Sequence, residues 1–385
     1  MKKVYIIGGG PAGMMAAISA KTHHPTYEVT ILERNEQLGK KLMLTGGGRC
    51  NVTADVGHDE LIANIVKNGK FLFSSLQEFD ATSIQSFFVS MDCPLKVEDH
   101  HRVFPKSDKA EDIRKALTRK LKALHVKIVF QSKVLDVDYK QQILYTEQED
   151  YHYDHIILAT GGKTYHTTGS DGSGYALAKK AGHTISDLLP AEVPLVSNDE
   201  VIQKKILQGL SLSDVTLSVL QNGKIKKRIH HDLIFTHFGI SGPAALRAST
   251  YVLKGLEKED KVMLEIDFLP TLHHNDISEQ LRKEEAIALP KRLLQYLKSI
   301  SKDEMALVHN IKKFPMSVYT TRGFANAFVT NGGISIKEIY PKTMGSKIID
   351  TLSFCGEVMD INAFTGGYNI TVAFVSGYVA GKYIE

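Results

Sequence analysis

Residues 4–17, Val4-Tyr5-Ile6-Ile7-Gly8-Gly9-Gly10-Pro11-Ala12-Gly13-Met14-Met15-Ala16-Ala17, decide the fold. The four apolar residues before Gly8 read as a buried parallel strand. Pro11 suits the first turn of a helix that continues through Ala20. A second strand follows over Glu28–Leu32, which makes a β-α-β unit of about 30 residues. Within it, Gly8-x-Gly10-x-x-Gly13 has the spacing of a dinucleotide turn: Gly8 for the bend, Gly10 for backbone approach to a pyrophosphate, Gly13 for helix–strand packing. Glu33, at the end of the second strand, can accept hydrogen bonds from a ribose diol. The helix N-terminus stabilises phosphate.

The 385 residues allow two or three domains. With 43% apolar and 23% charged residues the chain is globular, and 47 basic against 43 acidic residues leave +4, too little for a polyanion or membrane surface. Cys50, Cys93 and Cys355 are odd in number and form no C-x-x-C, which argues against a secreted scaffold and a zinc ribbon. Lys2-Lys3 and the apolar stretch behind it imitate a signal peptide, but the Gly8–Pro11 block would break its helix. A cytoplasmic protein without membrane spans is expected. The histidine pairs (23/24, 100/101, 230/231, 273/274) point apart on extended backbone, so no metal site is expected.

Further along, helical patterns fall at 59–66, 70–79 and 109–124. Short runs at 126–130, 134–139 and 142–146 suggest an antiparallel meander, and Ile156–Leu158 another buried strand. Asn222-Gly223 between apolar-alternating runs signals a hairpin. Residues 275–313 are charged and helical in three segments, and the glycine-rich texture of the start returns near 328. The expected domains are 1–190 plus 326–385 for the dinucleotide, 191–274 plus 314–325 for an inserted β domain, and 275–313 for a helical subdomain.

Three features favour a flavin dinucleotide over a nicotinamide one. Thr45-Gly46-Gly47-Gly48-Arg49-Cys50-Asn51 can lie along a long cofactor. Ala159-Thr160-Gly161-Gly162 ends a strand that should return beside the first. Gly356-Glu357-x-x-Asp360 precedes Gly366-Gly367-Tyr368-Asn369 and a helix starting near Ile370, whose N-terminus can face the flavin ring and stabilise its anionic reduced form. In that helix Ala373, Gly377 and Gly381 form a small-residue face, expected to pack on a sheet.

These motifs resemble the BaiN-like NAD(P)/FAD-dependent oxidoreductases, the flavoprotein group that includes aminoacetone oxidase-type enzymes. The matching stretches are IIGGGPAGMMAA, LGKKLMLTGGGRCNVT, VEDHHRVFP, ATGGKTYHTTGSDGSG, LIFTHFGISGPAAL, VTNGGISIKEIYPKTMGSK and FCGEVMDINAFTGGYNIT. The resemblance implies an α/β architecture: a Rossmann-like, glutathione-reductase-like FAD domain interrupted by a β-barrel-like domain with a small helical subdomain. It implies noncovalent FAD, with contacts at Gly8, Gly10, Pro11, Ala12, Gly13, Glu33, Arg34 and Lys41, and at Gly47, Gly48, Arg49, Cys50 and Asn51. Further contacts fall at the Val134 backbone, Thr160, Gly161, Gly162, Gly356, Glu357, Asp360, Gly367, Tyr368, Asn369 and Ile370. Where relatives carry Ser-Tyr-Pro, this chain has Thr164-Tyr165-His166.

The function expected is hydride transfer between a small organic substrate and flavin N5. One chemistry is oxidation of an amine or aminoketone with O2 as acceptor. The other is NAD(P)H-dependent reduction of an activated C=C bond. NAD(P)H or O2 would be a transient co-substrate, and the absence of a second G-x-G-x-x-G leans toward the oxidase. A flavin-containing RNA-binding or redox-sensing protein is the non-enzyme alternative, disfavoured by the charge. Tyr165, His166 and His237 are the candidate acids and bases; Cys50 reads as a packing residue.

Overall fold

The apolar run at the N-terminus becomes the centre of a five-stranded parallel sheet in the computed structural model, which describes residues 1–283 and 286–384. Residues 284 and 285, in the expected helical subdomain, and 385, at the end of the expected FAD domain, lie outside the described residues. The strands are β1 (Lys3–Ile7), β2 (Glu28–Leu32), β3 (Lys127–Val129), β4 (His155–Leu158) and β5 (Leu352–Phe354), in spatial order β5-β4-β1-β2-β3. Ile6 pairs with Ile31 on one side and Ile157 on the other, and all three are fully buried. That explains unbroken apolar runs in place of alternation.

Helix α1 (Pro11–His23) follows β1, and helix α2 (Tyr368–Lys382) closes the chain against it. The small-residue face of α2 packs on α1, not on a sheet as expected. A Cβ at Gly377 would stand 2.4 Å from the Ala12 carbonyl oxygen and one at Gly381 2.2 Å from that of Ala16. The period-four spacing marks close approach without saying what approaches, because a helix and a sheet ask the same of it.

A second correction concerns 126–130. These residues do not join the meander: Lys127–Val129 pairs in parallel with β2, while Val134–Asp138, Ile143–Thr146 and Asp150–His152 form the antiparallel sheet. Three residues are too few for a period to separate the two uses. The pattern at 59–66 is likewise a helix, His58–Ala63, followed by a strand, Ile65–Lys67.

The chain divides into two compact units, Met1–Leu189 with Val329–Glu385, and Pro190–Phe328. The second unit holds a seven-stranded sheet built on the long hairpin Ser211–Gln221 and Lys224–Phe235. Asn222 and Gly223 turn it with φ of 50° and 75°, the left-handed pair that a two-residue hairpin needs. The sheet's outermost strands, Phe314–Ser317 and Thr320–Thr321, are consecutive in the chain, so the sheet must curl to bring its edges together. Helices His274–Arg282, Lys291–Ile300 and Glu304–Lys312 add Ile277, Leu293, Leu297 and Ile311 to its core. Among the described residues no helix is long and apolar enough to cross a membrane.

Candidate functional site

The first turn is shaped by its glycines. Gly8 has φ of 107°, and a Cβ there would lie 2.6 Å from the Ala159 carbonyl oxygen; one at Gly13 would lie 1.9 Å from that of Gly8. Gly10 differs: a Cβ would meet nothing within 4 Å. The turn therefore opens onto free space where the motif reserves room for a pyrophosphate. Gly10 caps α1 with no side-chain bond, and Pro11 takes its first position, leaving the N–H groups of Ala12 and Gly13 to a ligand. Glu33 is buried, its Oε2 accepting from the Gly9 N–H at 2.8 Å and its Oε1 from the Asn35 backbone N–H at 2.8 Å and Nδ2 at 2.7 Å. The carboxylate is thus fixed at the end of β2. Arg34, beside it, pairs with Asp171, whose carboxyl sits at about 2; burial opposes that shift, and the Arg34 and Ser173 bonds outweigh it.

The second glycine loop has left-handed backbone at Gly46, Gly47, Gly48 and Cys50, with φ of 57°, 67°, 88° and 63°. Cβ atoms at Gly47 and Gly48 would meet nothing within 4 Å. The loop closes on itself, the Arg49 and Cys50 N–H groups donating to the Gly46 and Thr45 carbonyl oxygens at 3.4 and 3.0 Å. Arg49 stacks on Phe104, 3.9 Å from the ring centroid, and bonds Glu98 at 3.0 Å and Asp108 at 3.3 Å. Cys50 is fully buried and burial pushes its thiol up to about 12, a neutral packing group rather than a nucleophile. Asn51 accepts from the Val103 N–H at 3.2 Å. A Cβ at Gly367 would fall 2.9 Å from Asn51 Oδ1, which places the start of α2 against this loop. That helix begins at Tyr368, two residues before the expected Ile370, with Gly367 as an N-cap lacking a side-chain bond. Asn369 instead holds the preceding segment, accepting from the Ala363 N–H at 2.9 Å and donating to its carbonyl at 2.7 Å.

The third group forms around Glu357. Its Oε2 accepts from Lys41 Nζ at 2.8 Å, and its Oε1 from the Thr330 N–H at 2.9 Å and Thr164 Oγ1 at 3.4 Å. Lys41 also donates to Thr164 Oγ1 at 2.8 Å. A Cβ at Gly162 would lie 2.7 Å from Glu357 Oε1, one at Gly161 2.8 Å from Ser170 Oγ, and one at Gly356 2.7 Å from the Ala12 Cβ. Glu357 thereby ties the loop after β4 and the strand Val329–Asn331 to the turn that touches α1. Asp360 is buried and pairs with Lys67 at 2.8 Å. Val134 is buried at the start of the meander.

Thr164, Thr330, Asn35 and Asp171 complete this site; the matching stretches contain the first, second and fourth without giving them a role, and Asn35 lies outside them. Thr330 Oγ1 accepts from the Lys163 N–H at 2.7 Å across 167 residues of sequence.

Of the candidate acids and bases, Tyr165 has left-handed backbone (φ 56°), and burial raises its phenol pKa. Lys41 Nζ lies 6.0 Å from its ring centroid. His166 is exposed in the same loop. His237 is exposed in the second unit, on the turn between Lys224–Phe235 and Gly239–Ser241.

The first unit also buries Thr160 Oγ1, Tyr175 OH, Asn331 Oδ1 and Asn362 Oδ1 without hydrogen-bond partners. Buried polar atoms are seldom left so. Uncapped helix starts, a fixed carboxylate at the end of β2 and open glycine cradles together fit FAD.

The sequence profile of the HI0933-like protein Rossmann domain matches residues 2–383. A 3-dehydro-bile acid delta(4,6)-reductase of Clostridium scindens is 30% identical, covering 99% of this chain and 98% of its own. A ribosomal RNA dihydrouridine synthase of Escherichia coli is 27% identical over 98% of this chain and 96% of its own. Among solved structures, the quinol fumarate reductase of E. coli superposes with a TM-score of 0.54 at 15% identity, over 99% of this chain and 70% of that one. At that identity the likeness is one of fold.

Proposed function

This chain belongs to the HI0933-like Rossmann family and is an FAD-dependent oxidoreductase, and we propose that it reduces a carbon–carbon double bond conjugated to a carbonyl in a small molecule. FAD, when bound and reduced, supplies the hydride. That hydride would go to the β-carbon, the carbonyl oxygen would take the charge, and water would supply the proton at the α-carbon. A nicotinamide would be the electron donor, as a transient co-substrate.

The observation that carries this reading is the chemistry gathered around Glu357. The loop after β4 sets the Tyr165 ring 6.0 Å from the Lys41 ammonium. The carboxylate beside them already accepts from Lys41, Thr330 and Thr164. Reduction of a conjugated carbonyl needs donors at the oxygen, whereas amine oxidation needs a free base. The two relatives support the choice, since the names of both describe saturation of a double bond conjugated to a carbonyl. In holding FAD, Glu33 would take the ribose, Gly10 and the start of α1 the pyrophosphate, and the start of α2 the flavin pyrimidine edge.

The deciding measurement is anaerobic reoxidation of the photoreduced holoenzyme. A cyclic enone or a 4-en-3-one steroid should return the oxidised flavin spectrum within turnover time and yield the saturated ketone. Inertness toward enones, together with anaerobic flavin reduction by aminoacetone and rapid reoxidation by O2, would replace this reading with the amine oxidase. Reoxidation by uridine-containing RNA alone would move the substrate to nucleic acid.

A further inference from the structure

We infer that the hairpin of Leu95–Val97 and Arg102–Pro105 braces the second glycine loop in the shape that FAD meets, through a ring of four charges around Arg49. Arg49 acts there as a positioning residue and not as the cofactor's counter-charge. The inference rests on the expectation that FAD lies along this loop, and it gives the stretch VEDHHRVFP a role. The two strands pair antiparallel, with Val97 opposite Val103. Val103 then holds the end of the loop with both backbone groups. Its N–H donates to Asn51 Oδ1 at 3.2 Å, and its carbonyl accepts from the Val52 N–H at 2.8 Å.

The ring engages the guanidinium fully. Arg49 Nη1 donates to both Glu98 oxygens, at 3.1 and 3.0 Å, and to Asp108 Oδ1 at 3.3 Å. Lys96 Nζ closes the ring from its other side, 2.9 Å from Glu98 Oε1 and 2.7 Å from Asp108 Oδ2. Charges of opposite sign alternate around it, two cations with two anions, so it presents no net charge to a ligand. Bonds to Lys96 first, and to Arg49 after it, hold both carboxyls below the usual carboxylate range. A single exposed ion pair contributes little to any geometry, whereas a closed network on a planar, stacked guanidinium fixes one.

Phe104 supplies the second observation. It is buried on the same hairpin and touches the glycine run at both ends. The Arg49 guanidinium lies 3.9 Å from its ring centroid, and a Cβ at Gly46 would stand 3.0 Å from its Cε1. Between those two contacts lie Gly47 and Gly48, left-handed and facing open space. Glycines lose the most conformational freedom on being ordered. A loop left loose would have to be ordered by the cofactor at the cofactor's expense. A loop braced beforehand removes that cost from binding.

The test is titration of the apo protein with FAD, read by quenching of FAD fluorescence. Glu98→Gln with Asp108→Asn removes two negative charges from the neighbourhood of an anionic cofactor, so charge alone would tighten binding. If the carboxylates position Arg49, the double variant should instead weaken FAD by about tenfold or more. Arg49→Lys should weaken it too, although the charge is kept, because an ammonium cannot stack on Phe104 and bridge both carboxylates. Hydrogen exchange in the apo double variant should quicken over residues 44–51 and not in the five-stranded sheet. Unchanged or tighter FAD in the double variant would overturn the proposal, and so would exchange that quickens everywhere, the mark of a general stabiliser. Gly47→Asn separates this failure from that of the loop assignment. Asn tolerates the left-handed backbone, and its side chain enters space where a Cβ meets nothing within 4 Å. Undiminished FAD affinity in Gly47→Asn would sink the loop assignment and the inference together; weakened FAD there, with none lost in the double variant, would sink the inference alone.

Discussion

At Gly10 an added side chain would meet open space, and the backbone there (φ −73°) is one that any residue adopts. Gly10→Val should therefore fold with a thermal midpoint near that of the apo wild type and yet retain no FAD, because its methyl groups fill the pyrophosphate's room. Desalting followed by a visible spectrum decides this; a folded, yellow variant would remove the turn from the site. Gly13→Val has no such latitude, since its Cβ would stand 1.9 Å from the Gly8 carbonyl oxygen. His155 makes a different prediction. It is buried on β4 with Nε2 2.9 Å from Ser353 Oγ, and burial, helped by Lys2, lowers its pKa to about 4. The folded state thus binds fewer protons than the unfolded one between the two pKa values. Its contribution is complete above about pH 6.5 and is lost as pH falls toward 4, on the order of 3 kcal/mol in all. Urea unfolding across that range should show the loss, and His155→Asn should flatten it. An equally steep slope in the variant would place the titration elsewhere.

The α1–α2 pair is where an element-scale change should reach the cofactor. Gly381→Val sets a Cβ 2.2 Å from the Ala16 carbonyl oxygen, backbone that cannot yield locally. The helices must separate, at a cost of about 1–3 kcal/mol. Because the N-terminus of α1 opens at the pyrophosphate turn, FAD retention should fall along with the thermal midpoint. Unchanged FAD affinity in a destabilised variant would show that α1 shifts without moving its first turn. Much of this pair was legible: the G-x-G-x-x-G spacing, Pro11 and the period-four small residues named both helices. Their contact was not, since a small-residue face reports a close neighbour and not its identity.

For the whole molecule, every residue expected to contact FAD lies in the first unit. Its exit and return points are close, because a Cβ at Gly332 would lie 2.1 Å from the Asp187 carbonyl oxygen. Replacing 190–328 with a short glycine-rich linker should therefore leave a yellow protein; a folded but colourless product would show that the second unit supplies part of the FAD site. By itself the sequence determined the β-α-β turn, its glycines and Glu33, the Asn222-Gly223 hairpin and the flavin character of the loops, because each is a local constraint written within a few residues. Only the tertiary structure decided that Lys127–Val129 joins the parallel sheet, that α2 rests on α1, and that Lys41, Thr164, Thr330 and Glu357 meet. Those four come from segments up to 316 residues apart. Their contact is fixed by the burial of β1, β4 and β5 in one sheet, and no local pattern of residues carries that information.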